Sequence, residues 1–442
     1  MSGKNKGSVL GEKGLYDVRS LGAPKAAILG LQHMFAMFGA TILVPMLTGL
    51  DVSTTLLFAG LGTLLFHLIT KGRVPAFLGS SFAYLGGYWA IAPMAEGVSN
   101  KELLPYACFG VACSGLLYLL LALLIKLFGA EKVMRFFPPI VTGPLIIAIG
   151  LTLSQTAIDN CSGDWLIALV AIVLVVICNI WGRGMIKIVP IIIGVAGSYL
   201  LAAVLGRVDF TPVAQAEWIG FPIHWDATVF SIFRGGDASL MITAVITIMP
   251  LALATIVEHI GDISAISSTV DRNFIENPGL HRTLLGDGAA TILASLFGAP
   301  ANTTYGENTG VLSLTKVFDP MVIRLAAGFA ILFSFSPKVA TLIGCMPTAT
   351  VGGVSLVLYG MISAVGVRNV VESRVDFSQS RNIIIAALIL VLSIGIKYSA
   401  AGAIAFQVGE LTISLSGIAV GALAGIILNA ILPDREAQTR RK

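Results

Sequence analysis

Two carboxylates lie in stretches of the sequence that are otherwise almost entirely apolar. Glu307 falls within residues 303–316, which contain no other acid and no base before Lys316. Glu258 falls in a comparable run, residues 250–265. A charge near the middle of a bilayer costs at least about 2.5–3.5 kcal/mol, so an acid kept there is a candidate functional residue. Such carboxylates would accept hydrogen bonds from a ligand or exchange a proton.

Asp262 follows Glu258 by one helical turn, so both carboxyl groups should lie on one helix face. Burial and like-charge repulsion push one member of such a pair toward its protonated form. Glu258 and Asp262 are therefore expected to carry a coupling proton, although Asp262 could instead bond a neighbouring helix. His33 either contacts this acid cluster or satisfies a buried polar network. His259 projects from another face and is expected to be structural, as is Asp287, which is expected near the inner end of its helix.

Two membrane-depth segments are rich in residues that disfavour a regular helix. They read SSFAY, from Ser80 to Tyr84, and NTTYGEN, from Asn302 to Asn308. Gly, Ser, Thr and Asn favour short extended or irregular backbone, which presents free N–H and C=O groups. Phe82 and Tyr305 would add aromatic surface. Carboxylates, exposed amides and an aromatic plane together suit a small planar molecule with N–H and C=O edges.

The elements that position these residues follow from composition. The chain has 442 residues, of which 56% are hydrophobic and 12% charged, and its mean hydropathy is +0.89. Soluble proteins carry about 25% charged residues, so the sequence predicts an all-α polytopic membrane protein. We predict fourteen transmembrane segments, which are 24–50, 54–70, 74–92, 104–128, 136–155, 164–181, 186–206, 239–263, 283–298, 303–317, 321–344, 347–365, 382–398 and 411–432.

The placement of basic residues predicts the orientation. With the N-terminus inside, 23 of the 28 Lys and Arg residues fall on inner segments. The outer ones are Lys101, Arg207, Arg234, Lys338 and Lys397. This bias favours an even number of spans with both termini in the cytoplasm, in the plasma or inner membrane of a bacterium. The polar N-terminus has no apolar core and does not resemble a cleavable signal peptide.

The two halves of the sequence echo each other at a distance of seven spans. Gln32 and His33 in the first span correspond to Glu258 and His259 in the eighth, and the broken third and tenth spans correspond as well. Seven is odd, so the second half must enter the membrane in the opposite orientation. The pattern predicts two inverted seven-span repeats, with broken spans that mark a transporter's midplane site.

These motifs resemble the nucleobase–ascorbate transporter family, in its uracil-permease branch. The resemblance rests on ENTGVLSLTK, from Glu307 to Lys316, and on four further motifs across residues 24–432. It implies proton-coupled uptake by alternating access, often by a homodimer. It also implies a core domain, residues 24–128 and 239–344, a gate domain, residues 136–206 and 347–432, and cytoplasmic tails, residues 1–23 and 433–442.

The resemblance also implies roles for individual residues. Phe82 would flank a base, Glu258 and Glu307 would bind its polar edges, and Gly306 would offer backbone groups. The remaining pocket residues would be Tyr305 and Tyr359, and the structural support would come from Asn308, His259 and Gln32.

The first signature position bears on the substrate. Xanthine and urate members typically have Gln there and ascorbate members Pro, so Glu307 favours uracil. Asp262, however, stands where some uracil permeases have His and purine-transporting relatives often have Asp. The alternatives are therefore a xanthine or urate permease and, from another class, an anion channel or exchanger of related fold.

The sequence argues against several other classes of function. The bases are scattered, so no nucleic-acid partner is expected. The five cysteines lack metal-ligand spacing, so no metal or other cofactor is expected beyond the coupling proton. The sequence also shows no nucleophile–base pair, which argues against an enzyme.

Overall fold

A computed structural model describes residues 14–94, 100–408 and 411–433. Most of the predicted cytoplasmic tails, residues 1–13 and 434–442, lies outside this range. The described chain is mostly helical, and the α-helices are α1 (Ala23–Thr48), α2 (Val52–Ile69), α3 (Leu85–Ile91), α4 (Leu104–Phe128), α5 (Ala130–Met134), α6 (Pro139–Ser162), α7 (Trp165–Trp181), α8 (Met185–Ile188), α9 (Pro190–Val204), α10 (Thr211–Gln215), α11 (Ala238–Ile248), α12 (Ala252–Val270), α13 (Leu280–Leu296), α14 (Gly306–Thr315), α15 (Pro320–Ser334), α16 (Pro337–Gly344), α17 (Thr348–Glu372), α18 (Ser380–Lys397) and α19 (Gly417–Ile431).

Two short antiparallel pairs of strands complete the regular structure. β1 (Leu78–Ser80) pairs with β2 (Asn302–Thr304), and β3 (Ala403–Val408) pairs with β4 (Leu411–Ser416). The first pair forms within the two segments that the sequence predicted to be broken. The paired residues Ser80 and Asn302 are separated by 222 positions in the sequence. The pair therefore joins segments that are far apart in the chain.

Apolar length establishes the membrane character of the fold. Within the described residues, seven helical segments are long and apolar enough to cross a bilayer, or eight if the bent pair α15–α16 is one span. The helices α7, α9 and α19 are shorter but also apolar. Because backbone polar groups at membrane depth must be satisfied internally, helices are the natural spanning element. The prediction of a helical polytopic membrane protein is confirmed at this level.

Small residues let the helices approach closely. α6 packs along α17, and the contact is lined by glycines from both helices. A methyl group added at Gly150 would lie 2.3 Å from the carbonyl oxygen of Tyr359. One added at Gly366 would lie 2.7 Å from the carbonyl oxygen of Gly143. Glycine at these positions therefore holds the two backbones together by van der Waals packing, as is usual between membrane helices.

Candidate functional site

The β1–β2 pair places two helix N-termini close together. Its register pairs Leu78 with Thr304 and Ser80 with Asn302. After β1 the chain makes a 3-10 turn at Phe82–Tyr84 and enters α3, and after β2 it enters α14 at Gly306. The strands are antiparallel, so the two helices leave the pair in opposite directions. Their N-terminal ends, which carry partial positive charge, begin at the same break in the bilayer-spanning structure.

Buried hydrogen bonds from three helices and from Tyr305 hold this break in shape. The hydroxyl of Tyr305 donates to the carbonyl oxygen of Ser80 at 2.8 Å, and the Ser80 hydroxyl donates to the carbonyl oxygen of Thr41 on α1 at 3.0 Å. The Asn302 side chain donates to the carbonyl oxygen of Phe58 on α2 at 3.0 Å, and Thr291 on α13 donates to that of Asn302 at 2.8 Å. Tyr305, predicted as a pocket aromatic, thus anchors β1 through its hydroxyl.

Gly79, in the middle of β1, has no room for a side chain. A Cβ atom there would lie 2.5 Å from the Tyr305 ring and 2.7 Å from the Thr41 hydroxyl oxygen. We therefore expect Gly79→Ala to displace Tyr305, open the β1–β2 pair and lower the midpoint of thermal unfolding in detergent. Gly86→Ala on α3 is the matched control, because its Cβ atom would meet no atom within 4 Å. An unchanged midpoint for Gly79→Ala would show that the pair tolerates a wider separation.

The acid-bearing face of α12 lies against the start of α14. The Thr304 hydroxyl donates to Oδ2 of Asp262 at 2.8 Å. A methyl group added at Gly306 would lie 3.9 Å from Oδ1 of Asp262. Glu258, one turn earlier on α12, is half-buried, and Gly306 is exposed. The structure therefore brings Glu258, Asp262 and Gly306 to the same break. Glu307 lies in the first turn of α14, but its side chain is outside the described part of the structure.

A buried contact between a histidine and a carboxyl group, which the sequence did not predict, lies next to the acid-bearing helix α12. Nδ1 of His259 lies 3.0 Å from Oδ2 of Asp287, and both side chains are fully buried. The same nitrogen lies 3.5 Å from the Thr304 hydroxyl oxygen. The expectation that Asp287 sits near a helix end is wrong, because it is the eighth of the 17 residues of α13 and has no exposed surface. In the sequence, this contact could have been sought from two residues. Asp287 is an acid that lies between two glycines, and His259 directly follows Glu258.

His33 contacts α14 through an amide. The Asn308 side-chain nitrogen lies 3.2 Å from both the carbonyl oxygen and Nδ1 of His33. His33, Asn308 and the neighbouring Gln32 are all buried, with 0%, 1% and 5% of their surfaces exposed. Asn308 thus ties the first turn of α14 to α1, as expected of a supporting residue, and His33 occupies a buried polar network.

Two aromatic residues assigned to the pocket meet across different helices. The rings of Phe82 and Tyr359 lie edge to face, with centroids 5.8 Å apart and an angle of 77° between their planes. A cavity of about 350 Å³ begins at Ala83, the next residue, and extends between α3, α6, α11 and the end of α18. This cavity borders the site instead of enclosing the acids.

The arrangement combines three kinds of binding group in one place. Carboxylates accept hydrogen bonds, backbone groups at the two breaks both donate and accept, and the Phe82 ring adds apolar surface. Groups of these kinds suit a small planar polar molecule.

Comparison with known proteins gives the family. The xanthine–uracil permease model, described as a permease family, matches residues 24–402. The chain is 43% identical over 418 residues to the uracil permease of Bacillus caldolyticus, covering 92% of each chain. It is 40% identical over 422 residues to that of Bacillus subtilis, again covering 92% of each. It is 36% identical over 415 residues to that of Escherichia coli, covering 91% of this chain and 90% of the relative.

Solved structures agree on the fold. The transmembrane domain of the cyanobacterial bicarbonate transporter BicA aligns with a TM-score of 0.58 at 14% identity, covering 88% of this chain and 98% of that one. SLC26A9 aligns with a TM-score of 0.64 at 13% identity, covering 94% of this chain and 66% of that one. At such identities the likeness concerns the fold alone. Together with the family match, it shows that the chain is an integral membrane protein that belongs to the nucleobase–ascorbate transporter family of permeases.

Proposed function

We propose that the chain is a proton-coupled symporter that imports uracil across the plasma membrane by alternating access. The observation that carries the proposal is the meeting of the α12 acids with the β1–β2 break, where Thr304 bonds Asp262 at 2.8 Å. Relatives at 36–43% identity over about nine-tenths of the chain are uracil permeases, which favours uracil as the substrate.

Uracil has the chemistry that these groups select. Its ring N–H groups would donate to Glu258 and to Glu307, and its carbonyl oxygens would accept from backbone N–H groups at the starts of α3 and α14, including that of Gly306. Phe82 would flank the ring, with Tyr359 closing the edge of the aromatic surface. Tyr305 would line the pocket while its hydroxyl holds β1.

The coupling proton is assigned to the Glu258–Asp262 turn. A proton on Asp262 would remove the repulsion between the two carboxylates and leave Glu258 charged to accept the uracil N–H, so proton and substrate binding would favour each other. His33 remains part of this proposal through Asn308, which connects it to α14. No other cofactor is required by this scheme.

The architecture proposed for transport has fourteen spans in two inverted repeats. The core domain would comprise residues 24–128 and 239–344, and the gate domain residues 136–206 and 347–432. The broken segments at β1 and β2 occupy equivalent places in the two halves, which supports the repeat. The protein would be a homodimer with both termini in the cytoplasm, and the gate would move against the core.

A xanthine or urate permease is the second candidate, and Asp262 is the observation that favours it. An anion exchanger is a third candidate, because the fold resembles that of a bicarbonate transporter and of an anion transporter. Two carboxylates at the break, however, would repel an anion.

Uptake of labelled uracil into proteoliposomes tests the proposal. We expect accumulation only with an inward proton gradient, and collapse of that gradient by a protonophore should reduce uptake to equilibration. Excess unlabelled uracil should compete fully, and xanthine should not. Competition by xanthine at the same concentration would favour the second candidate, and gradient-independent conductance would favour an exchanger or channel.

A further inference from the structure

The connector between α9 and α11 exposes a dense set of large apolar side chains. Within residues 218–233, six of them are 42–80% exposed, namely Trp218, Ile219, Phe221, Trp225, Phe230 and Phe233. Isolated exposed apolar residues are ordinary, but a contiguous apolar patch marks an interaction surface. We propose that this connector lies in the interfacial zone of the membrane, with its aromatic rings inserted among the lipids.

The surface is held in place by ring contacts with several helices. Phe230 and Trp225 lie against Phe297 at the end of α13, with centroids 5.5 and 6.3 Å apart, and Phe233 lies 6.0 Å from Phe109 of α4. These contacts fix the backbone while leaving the outer parts of the rings exposed. The exposed patch is therefore a preformed surface and not a consequence of an extended loop.

The position of the connector places this surface at the level where a bilayer meets water. It joins the end of α9 to the start of α11. Arg207, just after α9, pairs with Asp164, which caps the start of α7. The next residue, Trp165, is 45% exposed, and Trp181 at the other end of α7 is 68% exposed. Tryptophans at both ends of an apolar helix mark the two interfaces, so Trp165 sets the level of the connector.

A second connector, the chain between α15 and α16, packs against the first one. The N–H of Gly220 donates to the carbonyl oxygen of Phe335 at 2.9 Å, and that of Lys338 donates to the carbonyl oxygen of Glu217 at 3.0 Å. Nζ of Lys338 lies 4.5 Å from the centre of the Trp218 ring. Lys338 is the second residue of α16, whose axis bends by 85° from that of α15. The two hydrogen bonds and the cation–π contact therefore join the two connectors into one unit.

Aromatic insertion and not charge would hold this surface in the lipid. Residues 206–237 carry acids as well as bases, namely Asp209, Glu217, Asp226 and Asp237 against Arg207 and Arg234. A segment with more acids than bases gains nothing from anionic headgroups. Trp and Phe, in contrast, suit the boundary between acyl chains and headgroups. The partner is therefore the interfacial region of a zwitterionic phospholipid bilayer.

Tryptophan fluorescence in vesicles of brominated phosphatidylcholine tests the inference. Variants that keep only Trp218 or only Trp225, with the other tryptophans replaced by Phe, report on the connector. We expect bromine near the glycerol end of the acyl chains to quench most of their fluorescence, and bromine near the methyl end to quench it much less. Anionic lipid should leave both results unchanged. Aqueous iodide should quench weakly.

Two controls and one further comparison support the quenching experiment. A variant with only Trp165 is the positive control, and iodide quenching of free tryptophan in the same buffer gives the value for a ring in water. If a single-tryptophan protein does not fold, the difference between the native chain and Trp218→Phe gives the same reading. Strong quenching by iodide would overturn the proposal in favour of water. Resistance to both quenchers would overturn it in favour of a protein contact.

Discussion

Replacing Glu258 by glutamine is expected to abolish proton-driven uracil uptake. The substitution preserves the size of the side chain but removes its charge, its capacity to take up a proton and one acceptor. Loss of a hydrogen bond to a charged group costs about 1.5–3 kcal/mol, so uracil binding should weaken about ten- to hundredfold. Equilibrium binding to the purified protein and gradient-driven uptake into proteoliposomes measure the two effects separately.

A matched control is available elsewhere in the chain. Glu276 is exposed on the connection between α12 and α13, so Glu276→Gln makes the same chemical change away from the break. It should leave binding and uptake unchanged. If Glu258→Gln accumulates uracil like the native protein, Glu258 carries neither the proton nor the substrate, and the proposed mechanism fails. If binding survives while gradient-driven accumulation is lost, Glu258 belongs to the proton path alone.

Replacing Asp287 by alanine is expected to destabilise the protein strongly. Its carboxylate lies 3.0 Å from Nδ1 of His259, and both side chains are fully buried. Removing one partner leaves the other polar group buried and unpaired, which costs about 1–3 kcal/mol. The midpoint of thermal unfolding in detergent should fall by on the order of 5 °C, and uptake should fall with it, since His259 is adjacent to Glu258.

A double-mutant cycle distinguishes the pair from simple packing. Asp287→Ala together with His259→Ala should cost much less than the sum of the single changes, because neither buried group is then left without the other. Asp226→Ala, at an exposed position, controls for loss of a carboxylate and should leave the midpoint unchanged. Additive costs would mean that the two side chains do not stabilise each other.

Local features of the sequence predicted much of this fold. The apolar stretches predicted the helices, because transfer into lipid depends on the composition of each segment alone. The Ser, Thr, Asn and Gly residues of SSFAY and NTTYGEN predicted short extended or irregular backbone, and β1 and β2 overlap these segments. The later parts of both segments are helical instead, because Phe82–Tyr84 forms a 3-10 turn and α14 begins at Gly306. The spacing of Glu258 and Asp262 placed them one helical turn apart for the same local reason.

The sequence by itself therefore determined the membrane class, the breaks in the spans and the acids near them. Only the tertiary structure decided which groups meet: Asp287 with His259, Asp262 with Thr304, and Asn308 with His33. Each of these contacts joins residues from different helices or strands. The partners are separated by 28 positions in Asp287–His259 and by 275 in Asn308–His33. Such pairings depend on how whole helices pack, and that packing is the sum of many weak contacts that no single segment of sequence displays.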